Sequence, residues 1–177
     1  MRTNEDLPNP ALTAASAIAA AVGEAPNRTV QFISFRVGDQ QFAIDIMAVR
    51  EIKGWTDTTT LPNQPEYLLG VLNLRGTIVP IYDLRCRFGL GLTTATRAHV
   101  VIIVSLMDRI IGLLVDAVSD IITIKSSEIR PVPEMDRATA TDYLCGLISI
   151  GDSMVVLLSL ETLFAQSTQM DTSTLAA

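Results

Sequence analysis

An internal repeat constrains this chain more than any other feature. Tyr67-Leu68-Leu69-Gly70-Val71-Leu72-Asn73-Leu74 lies without gaps over Tyr143-Leu144-Cys145-Gly146-Leu147-Ile148-Ser149-Ile150, and the apolar segments that return from each run end in the same register at Leu84 and Leu160. Earlier pieces match as well: Phe42-Ala43-Ile44 followed by Val49, Glu51 and Ile52 falls on Ile111-Gly112-Leu113 followed by Val118, Asp120 and Ile121. Apolar alternation alone could bring unrelated strands into register. A shared Tyr, a shared Gly and an acidic residue before the last Ile point instead to a common backbone plan. The repeat implies two related β-units of about five short strands each, and units of that size are better closed into barrels, which leave no exposed edges. Each buries little apolar area alone, so the two should pack together, with a groove at their junction.

The local pattern agrees with an all-β chain. Val30, Phe32, Phe35 and Val37 alternate up to a Gly38-Asp39 turn, and Gln41 to Ile46 returns, which reads as a hairpin. Met47 to Ile52 fits either a turn of helix or continued strand, and Trp55 to Pro65 has loop composition. Tyr67 to Leu74, an Arg75-Gly76 turn and Thr77 to Tyr82 form a second hairpin, with Pro80 expected at an edge or bulge because it has no amide donor. His99 to Leu106 and Arg109 to Val118, joined at Met107-Asp108, are almost continuously apolar, as strands buried on both faces are. Ile121 to Ile124 continues the sheet. Arg130 to Glu134 is a proline-stiffened connection, and Tyr143 to Ile150 with Met154 to Leu160 makes the last hairpin.

The patterned region runs over residues 28–165. Residues 1–27 read as a flexible Ala-rich extension and 166–177 as a flexible tail rich in Ser, Thr, Gln and Ala. The extension is not a secretory signal, because Glu5 and Asp6 stand where positive charge is needed and its apolar part is mostly Ala and Thr. It is too weakly hydrophobic to cross a bilayer. With 13 basic against 19 acidic residues and a net charge of −6, the chain should repel phosphate backbones and anionic lipid, so neither nucleic acid nor membrane insertion is expected.

Few residues carry chemistry. Cys86 and Cys145 are the only cysteines and His99 the only histidine, too few for a disulfide framework or a thiolate metal site, so no cofactor or metal is expected. Packing cysteines of a cytoplasmic protein and a packing histidine are the expected roles. A Cys-His hydrolase using Cys145 or His99 lacks a supporting constellation. Asp116 and Asp120 have no phosphate-cradling loop beside them, and Gly89-Leu90-Gly91 leads into threonines, not a Lys-Ser/Thr pair. One polar turn stands out. Asn73-Leu74-Arg75-Gly76 has Ser149-Ile150-Gly151-Asp152 as its repeat counterpart, which lacks the basic residue. The barrel plan does not require an arginine there, so it either serves recognition, as a guanidinium fork for a carboxylate, or is an exposed turn residue of little consequence.

These residues resemble the CheW family. The resemblance is carried by Phe42 to Ile46 with Val49-Arg50-Glu51-Ile52, by Gly70 to Arg85 with its Asn-Leu-Arg-Gly and Ile-Val-Pro-Ile pieces, by Gly112 to Ile121, by Ile129-Arg130-Pro131 and by Tyr143 to Leu147. It covers essentially residues 28–165. It implies an all-β domain of two interleaved, SH3-like five-stranded β-barrel subdomains packed together with short helical connections, and an adaptor without catalytic activity. It also implies two partners, the regulatory domain of a CheA-type histidine kinase and the cytoplasmic hairpin tip of a chemoreceptor, and a cytoplasmic protein recruited to membrane-associated receptor arrays. Carried over by position, Val49, Glu51, Gly70, Asn73, Arg75, Gly76 and Ile121 would face the receptor. Ile44, Ile46, Met47, Arg130 and Met135 would face the kinase. The long extension and a methionine at 135, where an aromatic anchor would be stronger, depart from the family plan. The same module occurs in CheA and CheV, but the chain after residue 165 is too short for an ATP-binding or receiver domain, so a stand-alone adaptor is expected. The alternative reading is a regulatory CheW-like module of another two-component pathway, one that drives pili or an alternative cellular function.

Overall fold

The computed structural model describes residues 27–133 and 142–165. The extension apart from Asn27, the tail, and Met135 lie outside the described residues. Ten strands form: β1 (Thr29–Val37), β2 (Gln40–Asp45), β3 (Val49–Gly54), β4 (Leu68–Leu74), β5 (Thr77–Asp83), β6 (Val100–Leu106), β7 (Arg109–Val115), β8 (Ala117–Lys125), β9 (Leu144–Ile150) and β10 (Ser153–Leu158). Short helices α1 (Leu84–Arg87) and α2 (Leu160–Phe164) follow β5 and β10.

The strands make two five-stranded sheets, ordered β8-β1-β2-β10-β9 (barrel A) and β3-β6-β7-β5-β4 (barrel B). Barrel B is one continuous stretch of chain inserted between β2 and β8 of barrel A. The repeat halves, β1–β5 and β6–β10, are therefore not the barrels, because each barrel combines a hairpin from one half with three strands from the other. Registers coincide across this exchange. Ile33 faces Ile121 and Phe35 faces Val118 in barrel A, as Ile102 faces Ile52 and Val104 faces Val49 in barrel B, with a bulge between each two. The parallel pairs agree too, Leu157 against Ala43 and Ile81 against Gly112.

The shared Gly and Tyr of the repeat have the same duties in both copies. Each sheet closes where the segment after its first edge strand bridges the last, Thr59 to Val71 in barrel B and Arg130 to Leu147 in barrel A. Gly70 and Gly146 sit beneath these bridges: a Cβ would lie 2.3 Å from the Thr59 carbonyl oxygen at Gly70, whose φ is 143°, and 2.7 Å from the Ile129 Cγ2 at Gly146. The Tyr67 and Tyr143 carbonyls accept the amides of Asp83 and Ser159, at 2.7 and 2.8 Å, tying each β-run to the residue that caps the following helix.

Three apolar clusters explain the continuous hydrophobic runs. Val79, Ile81, Val101, Ile103 and Leu114 fill barrel B, and Ala43, Ile122, Ile148, Val155 and Leu157 fill barrel A. A larger cluster between the barrels takes Phe35, Phe42, Ile44, Ile102, Val104, Ile111, Leu113, Leu163 and Phe164. Along β6, odd-numbered Val101 and Ile103 point into the barrel while even-numbered Ile102 and Val104 point into the central core, so no side of the strand meets water.

Two local expectations change. Pro80 is on β5, which lies between β7 and β4 and is not an edge strand; it is tolerated because pairing with β7 begins only at Ile81, so no ladder donor is lost. The run from Arg109 to Val118 is two strands that break at Asp116, where the chain crosses from barrel B back to barrel A. Asp116 anchors that crossing by accepting the Gly38 amide at 2.7 Å, and its own amide bonds to the Arg36 carbonyl. The ambiguous Met47 region is a 3-10 turn, Ile46–Ala48, capped by the Asp45 side chain, leading into β3 at the other crossing.

Candidate functional site

The turn between β4 and β5 is built by its own residues. Arg75 and Gly76 have φ of 52° and 89°, the pair of positive values of a type I′ hairpin turn. That conformation costs a non-glycine residue about 1–2 kcal/mol. The Asn73 side chain secures it, accepting the Gly76 amide on Oδ1 at 2.8 Å. The guanidinium then reaches Glu51 on β3 and pairs with its carboxylate. β3 and β4 are the two edges of the barrel B sheet, so this ion pair spans the same seam that the Thr59–Val71 bridge closes. The Arg75 side chain is still 80% exposed, so one carboxylate does not use up its donors.

Glu51, Asn73, Arg75 and Gly76 are thus brought together. Val49 starts the same strand as Glu51 and packs partly on the central core. Ile121 stands on β8 of the other barrel, 57% exposed, in the position that Ile52 holds beside Glu51 at 43%. Both copies of the repeat therefore expose an isoleucine there. Gly70 is buried under Thr59 and offers no surface. Among the expected kinase-facing residues, Ile44 is fully buried in the central core and can act only by supporting its neighbours. Ile46 is half-buried and Met47 is 84% exposed on the 3-10 turn. Arg130 is exposed on the segment that closes barrel A. Ile46 and Met47 lie on the 3-10 turn and Arg130 on the segment that closes barrel A, so they belong to different elements.

The residues considered for catalysis are placed differently. Cys145 is pushed up to about 11 by burial, and the Cys86 thiol is raised by burial and then by the negative charges of Asp83 and Glu66. Both stay protonated near neutral pH and are poor nucleophiles. His99 accepts the Thr96 amide on Nδ1 at 3.0 Å and faces Asp116 through Nε2 at 3.4 Å, so both ring nitrogens serve the strand entry. Asp116 and Asp120 each bond to barrel A backbone or side chains: Asp120 exchanges bonds with Ser34, whose hydroxyl donates to the Asp120 carbonyl and accepts its amide, filling the bulge between β1 and β8. No group of three or more His, Cys, Asp or Glu residues able to hold a metal occurs among the described residues.

Two barrels around a common core and an arginine turn left exposed at the barrel seam are the features of a binding module. The CheW-like domain family model matches residues 31–168. The chain is 44% identical over 137 residues to the probable chemotaxis protein CheW of Rhizobium etli, covering 77% of this chain and 88% of that one. It is also 44% identical over 134 residues to the chemotaxis protein CheW of Rhizobium meliloti, covering 76% and 86%. The crystal structure of the scaffolding protein TtCheW from Thermoanaerobacter tengcongensis superposes with a TM-score of 0.71 at 31% identity, over 77% of this chain and 93% of that one. The chain belongs to the CheW family, and its function is that of a chemotaxis scaffold, or adaptor, in a family of non-enzymatic scaffolds.

Proposed function

We propose that this scaffold couples chemoreceptors to a CheA-type histidine kinase, with the receptor hairpin tip at the Arg75 turn and the kinase regulatory domain at surfaces that include Met47 and Arg130. The observation that carries this reading is Arg75 itself. It is held in a left-handed turn by Asn73, reaches Glu51 across the barrel seam and remains largely in solvent. A guanidinium fixed in place this way can take a partner carboxylate in fork geometry with less loss of side-chain freedom than a mobile arginine. Val49, Ile52 and Ile121 add the apolar surface that a helix laid on the molecule needs, and the polar pair sets its register. Ile46 and Met47 form a separate apolar knuckle, suited to barrel-to-barrel packing. The adaptor would work in the cytoplasm, recruited to membrane-associated receptor arrays; no helix among the described residues is long and apolar enough to cross a membrane.

Arg75→Glu should abolish co-precipitation of a chemoreceptor cytoplasmic hairpin fragment while circular dichroism and capture of the kinase regulatory domain stay normal. Normal receptor capture by the folded variant would refute the assignment. Met47→Asp should do the opposite, reducing kinase capture and sparing the receptor.

A further inference from the structure

Because the two barrels are assembled from equivalent strands of the repeat, each hairpin turn of one has a counterpart in the other, and differences between counterparts mark residues that the barrel does not need. The turn from β9 to β10 opens at Gly151 with φ 57°, and its counterpart opens at Arg75 with φ 52°. The turn from β1 to β2 opens at Gly38 with φ 60°, and its counterpart between β6 and β7 opens at Met107 with φ 52°. Each pair shares one backbone shape, which glycine adopts freely and other residues resist. Barrel A has glycine at both positions. Barrel B carries a side chain at both, and for Met107 the fold gains nothing in return, since the residue is 75% exposed.

The two turns are neighbours. β5 and β7 run parallel, paired from Ile81 and Gly112 onward, so the turns that precede them emerge at the same end of barrel B, where the two strands are not yet paired. Below them lies a cleft of about 340 Å³ whose lining includes Ile78, Pro80, Asp108, Arg109, Ile110 and Phe164. Ile78 and Ile110 are large apolar residues left exposed there. A cation and an apolar, adaptable side chain therefore stand at the same end of barrel B as a mainly apolar cleft.

We propose that Met107 is a second recognition residue on this face: Arg75 takes a carboxylate of the receptor helix, and Met107, with Ile78 and Ile110, takes an apolar residue further along the same helix. This rests on Arg75 being receptor-facing. The placement fits, since both turns lie at one end of the same barrel and a helix of a few turns spans that end. The charge fits as well, because an arginine exposed on a net acidic chain selects an acidic residue in its partner.

The test measures binding of a chemoreceptor cytoplasmic hairpin fragment to the full chain by calorimetry. Met107→Gly reproduces the turn of barrel A, so its melting temperature should equal or exceed that of the parent while receptor affinity falls about tenfold. Met107→Asp should lose more, and both variants should bind the kinase regulatory domain normally. If both bind receptor like the parent while Arg75→Glu does not, Met107 is only a turn residue and the inference fails. If Arg75→Glu also binds like the parent, the reading of the Arg75 face fails and the inference falls with it. An equal loss of receptor and kinase binding in Met107→Gly would overturn it too, as a general effect on the molecule.

Discussion

Asp83 shows how much a single side chain can organise. It is fully buried, caps α1 by accepting the Arg85 and Cys86 amides, and accepts both the amide and the hydroxyl of Thr93, at 2.7 and 2.8 Å. Asp83→Ala strands these donors, and urea unfolding should show a loss of about 2–4 kcal/mol. Cys145 gives a pH prediction. Its folded-state value of about 11 lies above its ordinary value of 9.0, so the stability it contributes is complete below pH 9 and is lost as pH rises toward 11. Its alkylation by iodoacetamide in the folded protein should stay slow until that range, whereas the denatured protein reacts near its ordinary value. The exposed Glu51–Arg75 pair should contribute under about 1 kcal/mol, so Glu51→Gln should barely shift the melting temperature. Asn73 was legible in the sequence as part of the arginine turn. Its structural duty, holding the Gly76 amide, was not, because a bond to a residue three positions on depends on a turn shape that residue types alone leave open.

At the scale of elements, the closing bridges make the clearest test. Gly70→Ala drives a Cβ against the Thr59 carbonyl, which is backbone and cannot step aside, and asks a residue with a side chain to hold φ near 143°. Gly146→Ala meets mainly the Ile129 side chain, which can turn away. Thermal unfolding should therefore show Gly70→Ala to be the more damaging, by at least about 2 kcal/mol against the parent. Most strands were readable from apolar periodicity, and the repeat named the two glycines without explaining them. The strand break at Asp116 was not readable. Val115, Ala117 and Val118 continue the apolar pattern through it, and only the bonds of Asp116 to Gly38 and Arg36 show where the chain leaves one barrel for the other. Pro80 was misplaced for a related reason: a strand can be internal by order and still lack a neighbour at one residue.

At the scale of the molecule, the central core draws on both barrels, so they should unfold in one transition, with fluorescence of Trp55 in barrel B and far-ultraviolet circular dichroism coinciding in urea. A chain cut in the loop of residues 89–98 separates the repeat halves but leaves no barrel whole in either piece. Each fragment alone should be unfolded, and mixing the two should restore the β signal. The sequence by itself determined the all-β class, the ten-strand repeat, the family and the arginine that one copy has and the other lacks, because these depend on periodicity and on residue types at matched positions. Only the tertiary structure decided which hairpin closes with which strands, that Glu51 meets Arg75 across a seam, and that Met107 stands in glycine's conformation at the same end of the barrel as Arg75. Such choices rest on contacts between segments far apart in the chain. An apolar strand that is buried on both faces carries no mark of which neighbour it will pair with.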